Sequence, residues 1–177
     1  MTSEAISAGR EYALDSNVFV EAKRRYYAFD ICPGFWENLL WHQGIGRVSS
    51  VDRIKEELER GGDDLTDWIN SVMPEACFAT TDDADVIRYF GEMVAWVNAQ
   101  PQFLQEAKAE FAAVADGWLI AYAKAKELVL VTQEIALPEA RRRVPIPNVC
   151  EAFDVAYVDT FGMLRDFETR FSWQPSA

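Results

Sequence analysis

Apolar and polar positions along the chain form short blocks that predict brief strands separated by helices. Strand-like runs cover Tyr12 to Leu14, a weaker stretch near Arg47 and Val48, Leu128 to Thr132, and Val155 to Val158. Helical periodicity covers Val18 to Tyr27, Phe35 to His42, Val51 to Arg60, Leu65 to Val72, Leu104 to Phe111 and Asp116 to Lys126, with a last helix after Asp159. The clearest pattern sets Val86, Tyr89, Phe90, Met93, Val94 and Val97 on one face, behind Asp82, Asp83 and Asp85, acids suited to a helix N-terminus. In the helix from Asp116, Trp118, Leu119, Ile120 and Tyr122 place apolar bulk on several sides, which predicts burial between neighbours. Strands alternating with helices favour an α/β fold with a short, mostly parallel sheet covered by helices.

No long linker, repeat or low-complexity tract divides the 177 residues, so 1–177 reads as one domain. Within it, a helical insert is expected around 65–111 and a frayed tail over 172–177. Half of the residues are apolar, enough for one core. The net charge of −12, from 29 acids against 17 bases, repels polyanions unless bases cluster locally. No run is long and apolar enough for a membrane span, and the opening MTSEAISAGRE does not resemble a signal peptide; a cytoplasmic protein is expected. Cys32, Cys77 and Cys150 are odd in number and widely spaced, as expected of reduced thiols rather than zinc ligands.

The candidate chemistry lies in carboxylates. In YALDSNVFV, Asp15 follows the first strand, at the end where open α/β sheets place ligands, although Asp15, Ser16 and Asn17 are also good helix caps. Asp116 stands at the start of the buried helix, again as site or cap, and Glu134 follows the β-branched strand in LVLVTQE. In VDRIKEELERGG, Glu57 lies beside the stripe of Val51, Ile54 and Leu58, while Glu56 points further round. Two strand ends and a helix start on one rim can gather three carboxylates, whose repulsion calls for a cation. Oxygen donors and a single histidine, His42, favour Mg2+ or Mn2+ over zinc or iron. Such an ion suits phosphodiester hydrolysis.

The ordered set resembles the PIN-domain family. LDSNVFV resembles its opening Asp-x-Asn motif, ADGWLIAYA its aspartate-led helix and VTQE its Thr-x-acid motif. EAKRRYYAFDICPGFWENL, PIPNVCEAF and YVDTFGMLRDF are similar to a PIN-like branch from bacterial toxin-antitoxin operons. The resemblance implies a three-layer α/β/α fold and a Mg2+- or Mn2+-dependent ribonuclease, a VapC-like toxin neutralised by a cognate antitoxin. It implies metal binding by Asp15, Asp116 and Glu134, with Glu57 completing the catalytic pocket. Thr132 would orient the site, and Ser16 and Asn17 would shape the first loop. Glu134 is longer than the family's usual aspartate, and IAL replaces a common downstream aromatic residue, which leaves Asp159 open as another acid or as a cap.

RNA contacts are expected from Lys23, Arg24 and Arg25 and from Arg141, Arg142 and Arg143 in a proline-bracketed segment, with Tyr26, Tyr27 or Trp118 available to stack on bases. Ordinary solvated bases remain the alternative for both clusters. Phe29, Phe35, Trp36, Leu39 and Leu40 are expected in the core or in a homodimer contact, and the 65–111 region as a lid or antitoxin groove. A dehalogenase-like phosphatase would need a second aspartate where Asn17 stands. A catalytically degenerate PIN-like module that binds RNA or protein is the other alternative.

Overall fold

The computed structural model describes residues 9–174. The strands are β1 (Tyr12–Leu14), β2 (Val48–Val51), β3 (Phe78–Ala79), β4 (Val129–Val131) and β5 (Tyr157–Val158). The α-helices are α1 (Ser16–Glu21), α2 (Pro33–Gly44), α3 (Asp52–Glu59), α4 (Asp64–Ser71), α5 (Ala84–Ala99), α6 (Gln105–Ala113), α7 (Asp116–Lys126), α8 (Ile146–Ala152) and α9 (Thr160–Asp166). All strand pairs are parallel in the order β3-β2-β1-β4-β5, and the helices flank the sheet in a three-layer α/β/α arrangement.

Every residue of β1 is buried, because a central parallel strand is covered on both faces. Its register sets Leu14 beside Val131, so the C-terminal ends of β1 and β4 lie side by side. The helix α7 packs on β1, β2 and β4 and against α5. That position explains its all-round apolar character: Leu119, Ile120 and Ala121 have no solvent exposure. The expected aromatic core is present around Phe35, Trp36 and Leu39, with Phe29 stacked on Trp36 at 4.2 Å and Tyr27 on Phe35 at 4.5 Å.

Several element boundaries differ from expectation. The helix expected over Val18 to Tyr27 is α1 followed by a π-helical stretch, Ala22–Tyr26, closed by the Tyr27 N–H donating to the Ala22 carbonyl at 2.8 Å. The weak strand near Arg47 runs Val48–Val51, and α3 accordingly starts at Asp52. The 65–111 region carries helices but also β3, which extends the sheet beyond β2. Within the proline-bracketed segment, Pro145 and Pro147 open α8, a helix absent from the periodicity reading. Cys77 and Cys150 are buried free thiols, each pushed up to about 12 by desolvation, as core positions require. No helix among the described residues is long and apolar enough to cross a membrane. The N-terminal stretch read as lacking a leader falls mostly outside the described residues, as does part of the expected tail; Ser172, Trp173 and Gln174 lie outside regular structure.

Candidate active site

Asp15 occupies the N-cap position of α1, yet its side chain caps nothing. Its Oδ2 instead accepts from the Thr132 hydroxyl at 2.8 Å, across the β1–β4 junction, and the carboxylate is 1% exposed. Thr132 is thus a two-sided link, because its Oγ1 also accepts the Glu134 backbone N–H at 3.1 Å. Ser16 has one hydroxyl proton. At 2.7 Å it goes to Glu57 Oε1 rather than to Asp15 Oδ1 at 3.4 Å, so the loop after β1 is tied to α3. Asn17 Nδ2 lies 3.4 Å from Asp15 Oδ2, a marginal contact.

Asp116 is likewise no cap: it is the first residue of α7, after Ala115, and its side chain makes no capping bond. Asp159, by contrast, caps α9 by accepting from the Gly162 N–H at 2.7 Å, which resolves its ambiguity toward the cap. Asp83 does the same for α5.

The acids surround a cavity of about 360 Å3 whose lining includes Ser16, Asn17, Glu56, Glu57, Asp116 and Glu134. Burial raises Asp15 to about 6, with the charges of Glu134 and Glu57 adding to the rise and the Thr132 hydrogen bond opposing it. Asp116 is raised to about 7, first by desolvation and then by Asp15, Glu134, Glu57 and Glu110. One acid lining the cleft and a second buried beside it are therefore both raised toward neutrality by their surroundings, a pattern common at functional sites.

The donor chemistry suits a hard cation: all candidate ligands are carboxylates, and His42 is not in the cavity lining but buried against Phe167, stacked at 3.5 Å and lowered to about 4 by desolvation. Among the described residues, however, no group of three or more His, Cys, Asp or Glu closes on one point as a ready metal cage. The hydrogen bonds give the reason. Both oxygens of Glu134 are engaged, Oε1 by Arg143 Nη1 at 3.1 Å and Oε2 by the Ile146 N–H at 2.8 Å. Of the residues expected to bind metal, Asp15 and Asp116 keep the freer carboxylates.

The cationic clusters disperse on folding. Lys23 is paired with Asp63 and Asp64, Arg25 with Glu21, and Arg143 with Glu134, whereas Arg24, Arg141 and Arg142 are exposed with no ion pair among the described residues. Of the candidate stacking residues, Tyr27 is packed on Phe35, and Trp118 lies on Phe90 at 3.8 Å with the Arg53 guanidinium 4.3 Å above its ring. Tyr26 is 65% exposed.

Three charged cavity residues went unnoticed in the sequence: Arg53, Arg60 and Glu110. Arg53 and Arg60 could have been found, because they fall four residues before and three after Glu57 and share its helix face. Nothing local to the sequence singles out Glu110.

The five-stranded parallel sheet flanked by helices is a fold that recurs in known proteins. Two solved structures share it: the VapBC2 complex of Rickettsia felis bound to a DNA fragment from its promoter, and FitAcB of Neisseria gonorrhoeae. The first has TM-score 0.51 and 15% identity over 84% of this chain and 97% of the other, and the second TM-score 0.52 and 16% identity over 82% and 95%. The chain belongs to the family described as a domain of unknown function, DUF4411, whose profile matches residues 12–171. No curated protein sequence matches it.

Proposed function

We propose that this protein is a Mg2+- or Mn2+-dependent endoribonuclease acting as the toxin of a toxin-antitoxin pair. The observation that carries the reading is Asp116 lining a cavity with Glu57 and Glu134 while Asp15, buried just behind that wall, acts on Asp116 through its charge, both aspartates being raised toward neutrality. Asp15 and Asp116 would hold the ion, with Glu134 joining after exchanging Arg143 for it. Bound there, the ion would lower the pKa of a water and offset charge on the phosphate. The Thr132 hydroxyl holds Asp15 in place, and Ser16 holds Glu57 at the cavity wall. Arg53, Arg60 and Arg143 line the same cavity and would meet the phosphates of RNA, which answers the overall negative charge locally. The two structural neighbours are assemblies named VapBC2 and FitAcB, which supports a cognate antitoxin as partner.

The test is cleavage of a mixed single-stranded RNA pool with and without Mn2+. Wild type should cut only with the ion, and Asp15→Asn and Asp116→Asn should not cut while keeping the fold. Cleavage by Asp116→Asn at the wild-type rate would end the assignment. The Arg143–Glu134 pair favours a second reading, a binding module whose cation is built in. That module would show no thermal stabilisation by Mg2+ or Mn2+, whereas the nuclease would.

A further inference from the structure

A second cavity, about 510 Å3, opens beside the acidic one, lined by Tyr26, Ile135, Phe161, Arg25 and Gln133 among others. It shares Asn17, Glu134 and Arg143 with the acidic cavity, so the two adjoin and one strand can reach both. Its apolar residues are unusually exposed: Tyr26 by 65%, Ile135 by 68% and Phe161 by 41%. The π-helical stretch ends at Tyr26, while Phe161 comes from the first turn of α9. Their rings meet edge to face at 6.4 Å and 60°, which supports the tyrosine ring on one side and leaves no room for a third ring between them.

We propose that this cavity is a nucleobase subsite, in which an unpaired base of single-stranded RNA stacks on the free face of Tyr26, braced by Phe161. The proposal rests on the nuclease reading for its substrate class. The size fits a nucleoside. Arg25 and Arg143 stand at its edge where the sugar-phosphate chain would pass, each currently held by a carboxylate that a phosphate can replace. A protein partner would need a wider apolar face than these three side chains offer. A base needs only one ring face, and duplex RNA keeps its bases out of reach.

The experiment measures the affinity of full-length Asp116→Asn protein for a short fluorescent single-stranded RNA, and for its duplex, by anisotropy. Adding Tyr26→Ala should weaken single-strand binding roughly 10-fold or more. Tyr26→Phe should restore it, Tyr26→Leu should not, and duplex binding should barely change. Unchanged affinity in Tyr26→Ala, no RNA binding at all, or full restoration by Tyr26→Leu would overturn the subsite. Loss of a dimer in Tyr26→Ala with RNA affinity intact would assign the patch to a second copy of the chain instead. Wild-type cleavage that ignores Tyr26 removes the subsite and leaves the nuclease; Tyr26-dependent binding without wild-type cleavage does the reverse.

Discussion

Replacing Asp116 by asparagine should stabilise the protein at pH 8 and leave it unchanged near pH 4, in buffer freed of divalent cations. Asparagine matches the shape of the acid, and Asp116 caps nothing, so the substitution chiefly removes charge. The sign follows from linkage. A carboxyl raised in the folded state from 3.8 to about 7 binds a proton more tightly there than in the unfolded chain, so stability falls as pH rises through that window. Below 3.8 both states are protonated and the variant gains nothing; above about 7 the full penalty applies. At about 1.4 kcal/mol for each tenfold change in proton affinity, the rise corresponds to at most about 4 kcal/mol. Partial solvent access and joint titration with Asp15 reduce the expected gain to about 2 kcal/mol. For a chain of this size that is an increase of about 4 to 8 °C in Tm. Thermal melts of both proteins at pH 4 and pH 8 in EDTA decide it, and Mn2+ should narrow the gap at pH 8 by stabilising the wild type. Equal destabilisation at both pH values would refute the claim that repulsion and burial hold Asp116 near neutrality.

Thr132→Val keeps the shape but removes the donor to Asp15 and the acceptor for the Glu134 N–H; urea melts at pH 8 should show a loss of about 1.5 to 3 kcal/mol, smaller at pH 4 where Asp15 is protonated. Gly117→Ala would bring a Cβ to 2.9 Å from the Phe90 ring and 3.0 Å from Phe111, so a net cost of about 1 kcal/mol is expected despite alanine's better helix propensity. A stabilised Gly117→Ala protein would show that these rings yield freely. Arg143→Met should change stability by less than about 1 kcal/mol, its side chain being half exposed, while tightening Mn2+ binding in calorimetry by freeing Glu134.

Much of the fold was legible because its strongest signals are local. The apolar block of β1 ending in Asp15, and the all-round apolar α7 behind Asp116, follow directly from burial on both sides. The two-residue β3 is too short to carry a period, and its pairing with β2 comes from tertiary placement. A π turn differs from an α turn by one hydrogen-bond offset, which no side-chain pattern of five residues announces. The four acids could be ordered along the chain, but whether Glu134 faces Arg143 or the other carboxylates is decided by a nine-residue loop closure. Lys23 read as a free base because Asp63 and Asp64 lie about forty residues on, whereas the Glu21–Arg25 pair, four residues apart on one expected helix, was legible and passed over.

The link between Thr132 and Asp15 spans 117 residues of sequence, while β1 meets β2 after a much shorter interval. A chain emerging from the ribosome can therefore pair its first two strands early, but the acidic cavity has no second wall until β4 has been made. Asp15 and Glu57 can meet once β1, β2 and α3 are in place, but the repulsion that Glu134 adds to Asp15 and Asp116 enters only at closure. Removing it should accordingly slow unfolding more than it alters the early steps of folding, and kinetic stability, rather than folding rate, would carry the mark of the site.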